Sequence, residues 1–135
     1  MSIRVVKQYS VFLANQPGAL KDFADLFVQE NATLLAVSSD VRFDAAVVRV
    51  AIDYKQEVGH ALTKAGFTNV KTDAICIDTP DRIGIARDIG AVMSQHNLNI
   101  TSIYGAAAIG NQARFVLVVS DIQKAVKALE ESGLF

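Results

Sequence analysis

The sequence predicts an α+β fold made of two copies of one strand–helix–strand–strand–helix unit, with antiparallel sheets covered by helices on one face. Three observations carry this. Apolar positions of residues 11–50 recur in residues 77–116 at a shift of 66, so that Gly18 falls on Gly84, Phe23 on Ile89, Leu26 on Val92 and Phe27 on Met93. Within each copy, stretches of alternating β-formers give way to apolar residues at helical spacing. Each copy also closes its helices on Asn or Gly, residues that tolerate a left-handed backbone. A unit of ~60 residues hides only about 60% of its unfolded surface, so the halves are expected to pack side by side as one rigid body.

The elements follow in order. Tyr9, Val11 and Leu13 alternate along a strand over residues 9–14, as Ile75 and Ile77 do over residues 74–79. Leu20, Phe23, Ala24 and Phe27 make the apolar stripe of the first helix, with Ile85, Ile89, Val92 and Met93 in its counterpart. Asn31 and Asn97 end these helices. The next strands are residues 33–39 and 99–104, then residues 46–53 and 113–119, rich in Val, Ile and Phe. A further helix is expected from near Lys55, carrying Val58, Ala61, Leu62 and Ala65. Its copy carries Ile122, Ala125, Val126 and Leu129, and Gly66 and Gly133 stop the pair at a shift of 67. The domains are thus residues 1–72 and 73–135.

The halves differ at their ends. A βαββαβ unit needs a strand after its second helix, and the first half has one at residues 68–72. The second half stops two residues after Gly133. The segment in register with Asn69–Thr72 is Ile3–Val6, at the other end of the chain. Either Ile3–Val6 exchanges into the second unit as its missing edge strand, or it simply lengthens the first strand.

Composition narrows the function classes. With 13 Lys+Arg against 14 Asp+Glu and a net charge of −1, nothing electrostatic favours nucleic acid or an anionic membrane. Apolar runs such as Phe115–Val119 are far short of the ~20 residues that cross a bilayer. Charges at Arg4 and Lys7 interrupt any signal-like stretch, so a cytoplasmic location is expected. The single cysteine, Cys76, excludes an internal disulfide and a zinc site on paired thiolates. A mean hydropathy of +0.29 is high for 135 residues and points to an apolar surface covered by a partner, with a homodimer expected. Phe12 and Tyr104 are placed on the sheet face away from the helices.

Catalytic chemistry finds little footing. His60 and His96 each stand alone, without a second metal ligand at helical spacing. Cys76 sits inside a strand with no neighbour to activate it. Gly18, Gly84 and Gly90 assemble into no phosphate-binding loop. Asp22, Asp25 and Glu30 read as the solvated face of the first helix. No catalytic residue, metal or cofactor is expected.

The informative positions are the two strand-to-helix turns. In Asn15-Gln16-Pro17-Gly18-Ala19-Leu20, proline shapes a tight turn, and glycine permits positive φ and close approach to the backbone. A helix start follows, with unsatisfied N–H groups suited to a carboxylate. Asn15 is placed to cap the helix and to offer an amide to a polar ligand. The second copy, Asp81-Arg82-Ile83-Gly84-Ile85-Ala86, keeps the glycine, loses the proline and adds a charge of each sign.

The strand, the Asn-x-Pro-Gly-x-Leu turn opening an amphipathic helix, and the strands and helix that follow resemble the ACT domain. The second half looks like a diverged copy, with Asp81-Arg82-Ile83-Gly84 for the acidic-x-Pro-Gly turn and Asn99-Ile100 opening the second strand. The resemblance covers nearly the whole chain. It implies two ferredoxin-like units and a regulatory role in binding an amino acid. The implied ligand lies between the turn of one unit and the second strand of a neighbouring one. Carried onto this chain, the implied ligand-binding residues are Asn15, Gly18, Ala19 and Leu20, then Asp81, Arg82, Ile83, Gly84 and Ile85. Ser38, Ser39 and Tyr104 would face them. Ile83 in place of proline leaves open whether the second turn keeps the shape of the first. The readings weighed are an amino-acid sensor, a regulatory subunit similar to the small subunit of acetolactate synthase with a catalytic enzyme as partner, and an enzyme, for which the sequence shows no acid, base or nucleophile. RNA-type recognition would want exposed aromatics flanked by Lys/Arg, and it drops out.

Overall fold

Ten elements follow one another: β1 (Ser2–Ala14), α1 (Ala19–Gln29), β2 (Leu34–Arg42), β3 (Ala45–Ile52), α2 (Gly59–Lys64), β4 (Asn69–Pro80), α3 (Ile85–Gln95), β5 (Ile100–Ala107), β6 (Gln112–Val119) and α4 (Ile122–Ser132). The structure, a computed structural model, describes residues 2–42, 45–107 and 110–135. It is the α+β arrangement expected. The chain divides into two compact units, Lys7–Thr72 (the first unit) and Met1–Val6 with Asp73–Phe135 (the second).

In the first unit, β1 pairs antiparallel with β3, Tyr9 opposite Val50 and Val11 opposite Val48, and β3 pairs in turn with β2. These alternate positions point one way, so Tyr9, Val11, Leu13, Val48, Val50 and Ile52 form a core with Phe23, Leu26 and Phe27 of α1 and Leu62 of α2. Phe12, between two core positions, is half exposed on the opposite face. The Phe12 amide donates to the Thr68 carbonyl at 3.1 Å, beside the start of β4.

The second unit repeats the pattern. β4 pairs with β6, Ile75 opposite Leu117, and β6 with β5. Ile75, Ile77, Leu117 and Val119 meet Ile89, Val92 and Met93 of α3 and Ala125, Ala128 and Leu129 of α4. Ile3 packs against this second core, Arg4 lies 3.9 Å from Asp78, and β1 neighbours β4 in the sheet. β1 is one unbroken strand, and its first residues group with the second unit.

Backbone detail is duplicated with the sequence. Asn31 and Asn97 have φ of 53° and 55°, and Gly18 and Gly84 have φ of 86° and 94°. Both second strands are bulged at matching places, Leu34/Ala36 and Ile100/Ser102.

Three local expectations are corrected. α2 is a six-residue helix from Gly59 rather than one starting near Lys55, because Lys55 is held in a turn by its amide donating to Asp53 Oδ1 at 3.0 Å. Leu20 is 59% exposed and no part of the core, since Ala19 rather than Leu20 faces inward at the first turn of α1. Asn15 does not cap α1: the N-cap position is Gly18, which has no side chain to donate or accept.

A polar cluster holds the start of α2. Glu57 Oε1 accepts from the Tyr9 hydroxyl at 2.6 Å and from the Gly59 amide at 2.8 Å, while Oε2 lies 3.2 Å from Lys7 Nζ. The Tyr9 hydroxyl, first, and the Gly59 amide hold the Glu57 carboxyl down at about 2, and burial with the Glu57 bond pushes Tyr9 up to about 12. The signs follow from linkage. The carboxylate's contribution is full above its unfolded value near 4.5 and is lost as pH falls toward about 2. Tyr9 contributes below its unfolded value of 10, and that is lost as pH rises toward about 12. Glu57→Gln is therefore expected to flatten the acid limb of stability between those carboxylate values, checked by urea denaturation at stepped pH. An unchanged acid limb would contradict it. Because the Glu57 side chain is 51% exposed, solvent screening keeps the amplitude small.

Candidate functional site

In each unit the strand-to-helix turn, the helix start and the ends of two strands enclose a cleft. The second unit's turn is held in place by the Asp81 amide, which donates to the Asn111 carbonyl at 2.6 Å. Gly84 supplies the left-handed residue that lets α3 begin at once. Ile85 buries its side chain under the helix, and Ala86 and Arg87 stay outside. Arg82 Nη1 lies 2.8 Å from Asp88 Oδ2 in the first turn of α3, and Nη2 is 3.5 Å from the Leu134 carbonyl. The cleft, about 460 Å³, is lined by Asp81, Arg82, Gly84, Ile85, Ala86, Gly105, Ala113 and Phe115.

The first unit's cleft is smaller, about 160 Å³, and is lined by Leu13, Ala14, Asn15, Gln16, Ala19, Leu20, Ser39, Val41, Ala46 and Val48. Its turn closes through the Gln16 amide to Ala14 O at 3.0 Å and the Ala19 amide to Gln16 O at 3.3 Å. The repeat carries Asp81 onto Asn15, Arg82 onto Gln16, Ile85 onto Ala19, Ala86 onto Leu20 and Gly105 onto Ser39. It also carries Ala113 onto Ala46 and Phe115 onto Val48 at the later shift. The clefts are therefore the same place built twice, each from its own unit's residues. Gly18 and Gly84 share nearly one conformation, so the residue that opens each helix is alike although Ile83 stands where the first turn has proline.

Both cleft helices start on a glycine with no side-chain cap. By contrast, Asp121 caps α4 by accepting from the Lys124 amide at 3.1 Å. First-turn N–H groups without a capping side chain, beside an open cleft, suit an anionic group such as a carboxylate. The mouth of the second cleft offers a carboxylate, a guanidinium and helix amides together, which is the chemistry that holds a zwitterion.

The expected site residues are only partly brought together. Asn15, Ala19, Leu20 and Ser39 line the first cleft, and Asp81, Arg82, Gly84 and Ile85 the second. Gly18 shapes its turn without lining the cleft, and Ile83 points fully into solvent. Ser38 and Tyr104 lie on the other sheet face: they pair with Arg49 and Val116, one step from the core positions Val48 and Leu117. The third-strand residues Ala46, Val48, Ala113 and Phe115, together with Gly105, went unforeseen. They reach the clefts only through the pairing of β3 with β2 and of β6 with β5, which spacing along the chain does not show.

Cys76 is buried, and burial, first, with the nearby Asp78 carboxylate pushes its thiol up, away from the reactive thiolate. His96 ends α3 with Nδ1 3.0 Å from the Val92 carbonyl, and His60 is exposed. Among the described residues no group of three His, Cys, Asp or Glu is placed to hold a metal ion, and no helix is long and apolar enough to cross a membrane.

Comparison with known proteins fits this geometry. A family model for the ACT domain pair matches residues 4–134. No curated protein matches the sequence. A solved protein of Bacteroides thetaiotaomicron is 26% identical and superposes with a TM-score of 0.83, over 96% of this chain and 90% of that one. The regulatory subunit of aspartate kinase from Thermus thermophilus, in its ligand-free form, shares the fold at 11% identity and a TM-score of 0.70, covering 98% and 95%. The corresponding subunit from Thermus flavus does so at 12% identity and 0.62, covering 98% and 97%.

Proposed function

For a chain that belongs to the ACT domain pair family, we propose the role of a non-enzymatic regulatory protein whose effector is an amino acid held at the turn clefts. The observation that carries this is the duplicated cleft, open at an uncapped helix start and, in the second unit, edged by Asp81 and Arg82. The α-carboxylate meets the first-turn amides and Arg82, and the α-ammonium meets Asp81. A second copy of the chain completes the site by covering the apolar side chains left exposed on β2, Val37 and Val41. The aspartate kinase chains that share the fold are regulatory subunits, which supports a regulatory reading.

The test is a thermal-shift screen of the purified protein against the twenty amino acids, with sedimentation of the same sample. Ligand at ~100 times its Kd adds about 2.7 kcal/mol, a shift of several degrees. One or a few hits, lost in Asp81→Ala on a dimer of the 14.5 kDa chain, are expected. Silence from all twenty would sink the sensor reading and favour a subunit that acts only on a catalytic partner.

A further inference from the structure

The two clefts share a plan but not a floor. In the second, Gly105 lies directly opposite Phe115 across the β5–β6 ladder. A Cβ at position 105 would stand 2.7 Å from Phe115 Cε1 and 2.8 Å from Cδ1, closer than packed carbons approach. Glycine there lets the ring lie down against the backbone of β5, and any other residue would push it up into the cleft. The first unit has Ser39 and Val48 at these positions, and Leu20 where the second has Ala86. Gly105 for Ser39 and Ala86 for Leu20 open the second cleft, about 460 Å³ against about 160 Å³, whereas Phe115 for Val48 adds a ring to its floor.

Polarity in the second cleft is also graded. Asp81 and Arg82 stand at the turn, with Arg82 already aligned by Asp88. Among the described residues the remaining lining is Gly84, Ile85, Ala86, Gly105, Ala113 and Phe115, which carry no charge and no side-chain donor or acceptor. A charged or amide side chain brought in there would leave water without finding a partner. An apolar one would gain contact with the ring.

We infer that the second cleft selects an amino acid with a large, uncharged apolar side chain, which lies over the Phe115 ring while its zwitterionic end stays at Asp81 and Arg82. This rests on reading the cleft as an amino-acid site. Phe115 is its specificity-determining residue, and Gly105 is the residue that positions the ring.

The experiment is titration calorimetry of the full chain with leucine, methionine, phenylalanine, alanine, aspartate, lysine and glutamine. Large apolar members are expected to bind at least ~10-fold tighter than alanine, the scale a few methylenes command in an apolar pocket, and the charged and amide members not at all. Phe115→Val, which installs the first unit's residue, is expected to reduce the margin over alanine by ~10-fold or more. Gly105→Ala is expected to block the large ligands while sparing alanine. If Gly105→Ala fails to fold, Phe115→Val decides. Tightest binding of a charged or amide amino acid, or an unchanged rank order in Phe115→Val, overturns this inference while the sensor reading stands. Binding of none of these seven overturns this inference, and silence from all twenty in the thermal-shift screen overturns both.

Discussion

Deletion of residues 1–6 is expected to unfold the second unit. Val6 is 1% exposed, and Ile3 packs on the core of Ile75, Leu117 and Leu129 although it is far from them in sequence. Burying an aliphatic side chain of this size contributes about 1.5–3 kcal/mol. Val6 gains this in full and the partly buried Ile3 a share of it, a sizeable part of the stability of a unit of this length, roughly 0.05–0.15 kcal/mol per residue. The deletion also strips β4 of a neighbour and takes Arg4 from Asp78, which retains Arg114 at 2.6 Å. An unpaired, apolar β4 edge favours aggregation. Amide hydrogen exchange checks this directly. Protection should collapse at residues 74–79 and 113–119, with a smaller effect at residues 9–13 and 46–52. Equal protection in the deleted and full chains would show that Ile3–Val6 carries no such weight.

Phe23→Ala is expected to be the most damaging single substitution in the first unit. Its ring is 1% exposed and meets Phe27 edge-to-face at 5.0 Å and Phe67 at 5.9 Å. Emptying such a site costs about 3–5 kcal/mol, set by how far the surroundings collapse. The ring pairs add about 0.5–1.5 kcal/mol beyond area. Urea denaturation followed by far-UV circular dichroism should show the midpoint move sharply. A loss below about 2 kcal/mol would mean that Phe27 and Phe67 close over the gap.

Much of the fold was legible because repetition makes each half a check on the other. Asn31 and Asn97 at matching φ, and Phe23 against Ile89 on matching helix faces, follow from spacing and residue type alone. Leu20 misled because a leucine one step from the stripe looks like core until the helix start is known to be Ala19. The helix expected near Lys55 failed because Asp53 and Glu57 divert the backbone into turns that hydropathy does not register. In the clefts, the turn residues were readable from local chemistry. Gly105 and Phe115 were not, because their importance arises only once β5 and β6 are in register. Tyr104 lies on the face away from the helices, as expected, and Ser38 shares that side, so neither lines its own unit's cleft.

The strand β1 has a consequence for how the chain is made. Residues 2–6 are translated well before the elements they join, β4, β6 and α4. At about 5–20 residues per second, residues 7–72 are complete, and free to fold as a contiguous unit, seconds before the other unit has its last helix. During that interval Ile3 and Val6 are a short apolar tail with no place to go. Its pairing also spans a long sequence separation, Arg4 reaching Asp78, the kind of contact that slows folding. Synthesis therefore imposes an order that refolding from denaturant does not: the first unit closes during translation, and the second can be sealed only after it.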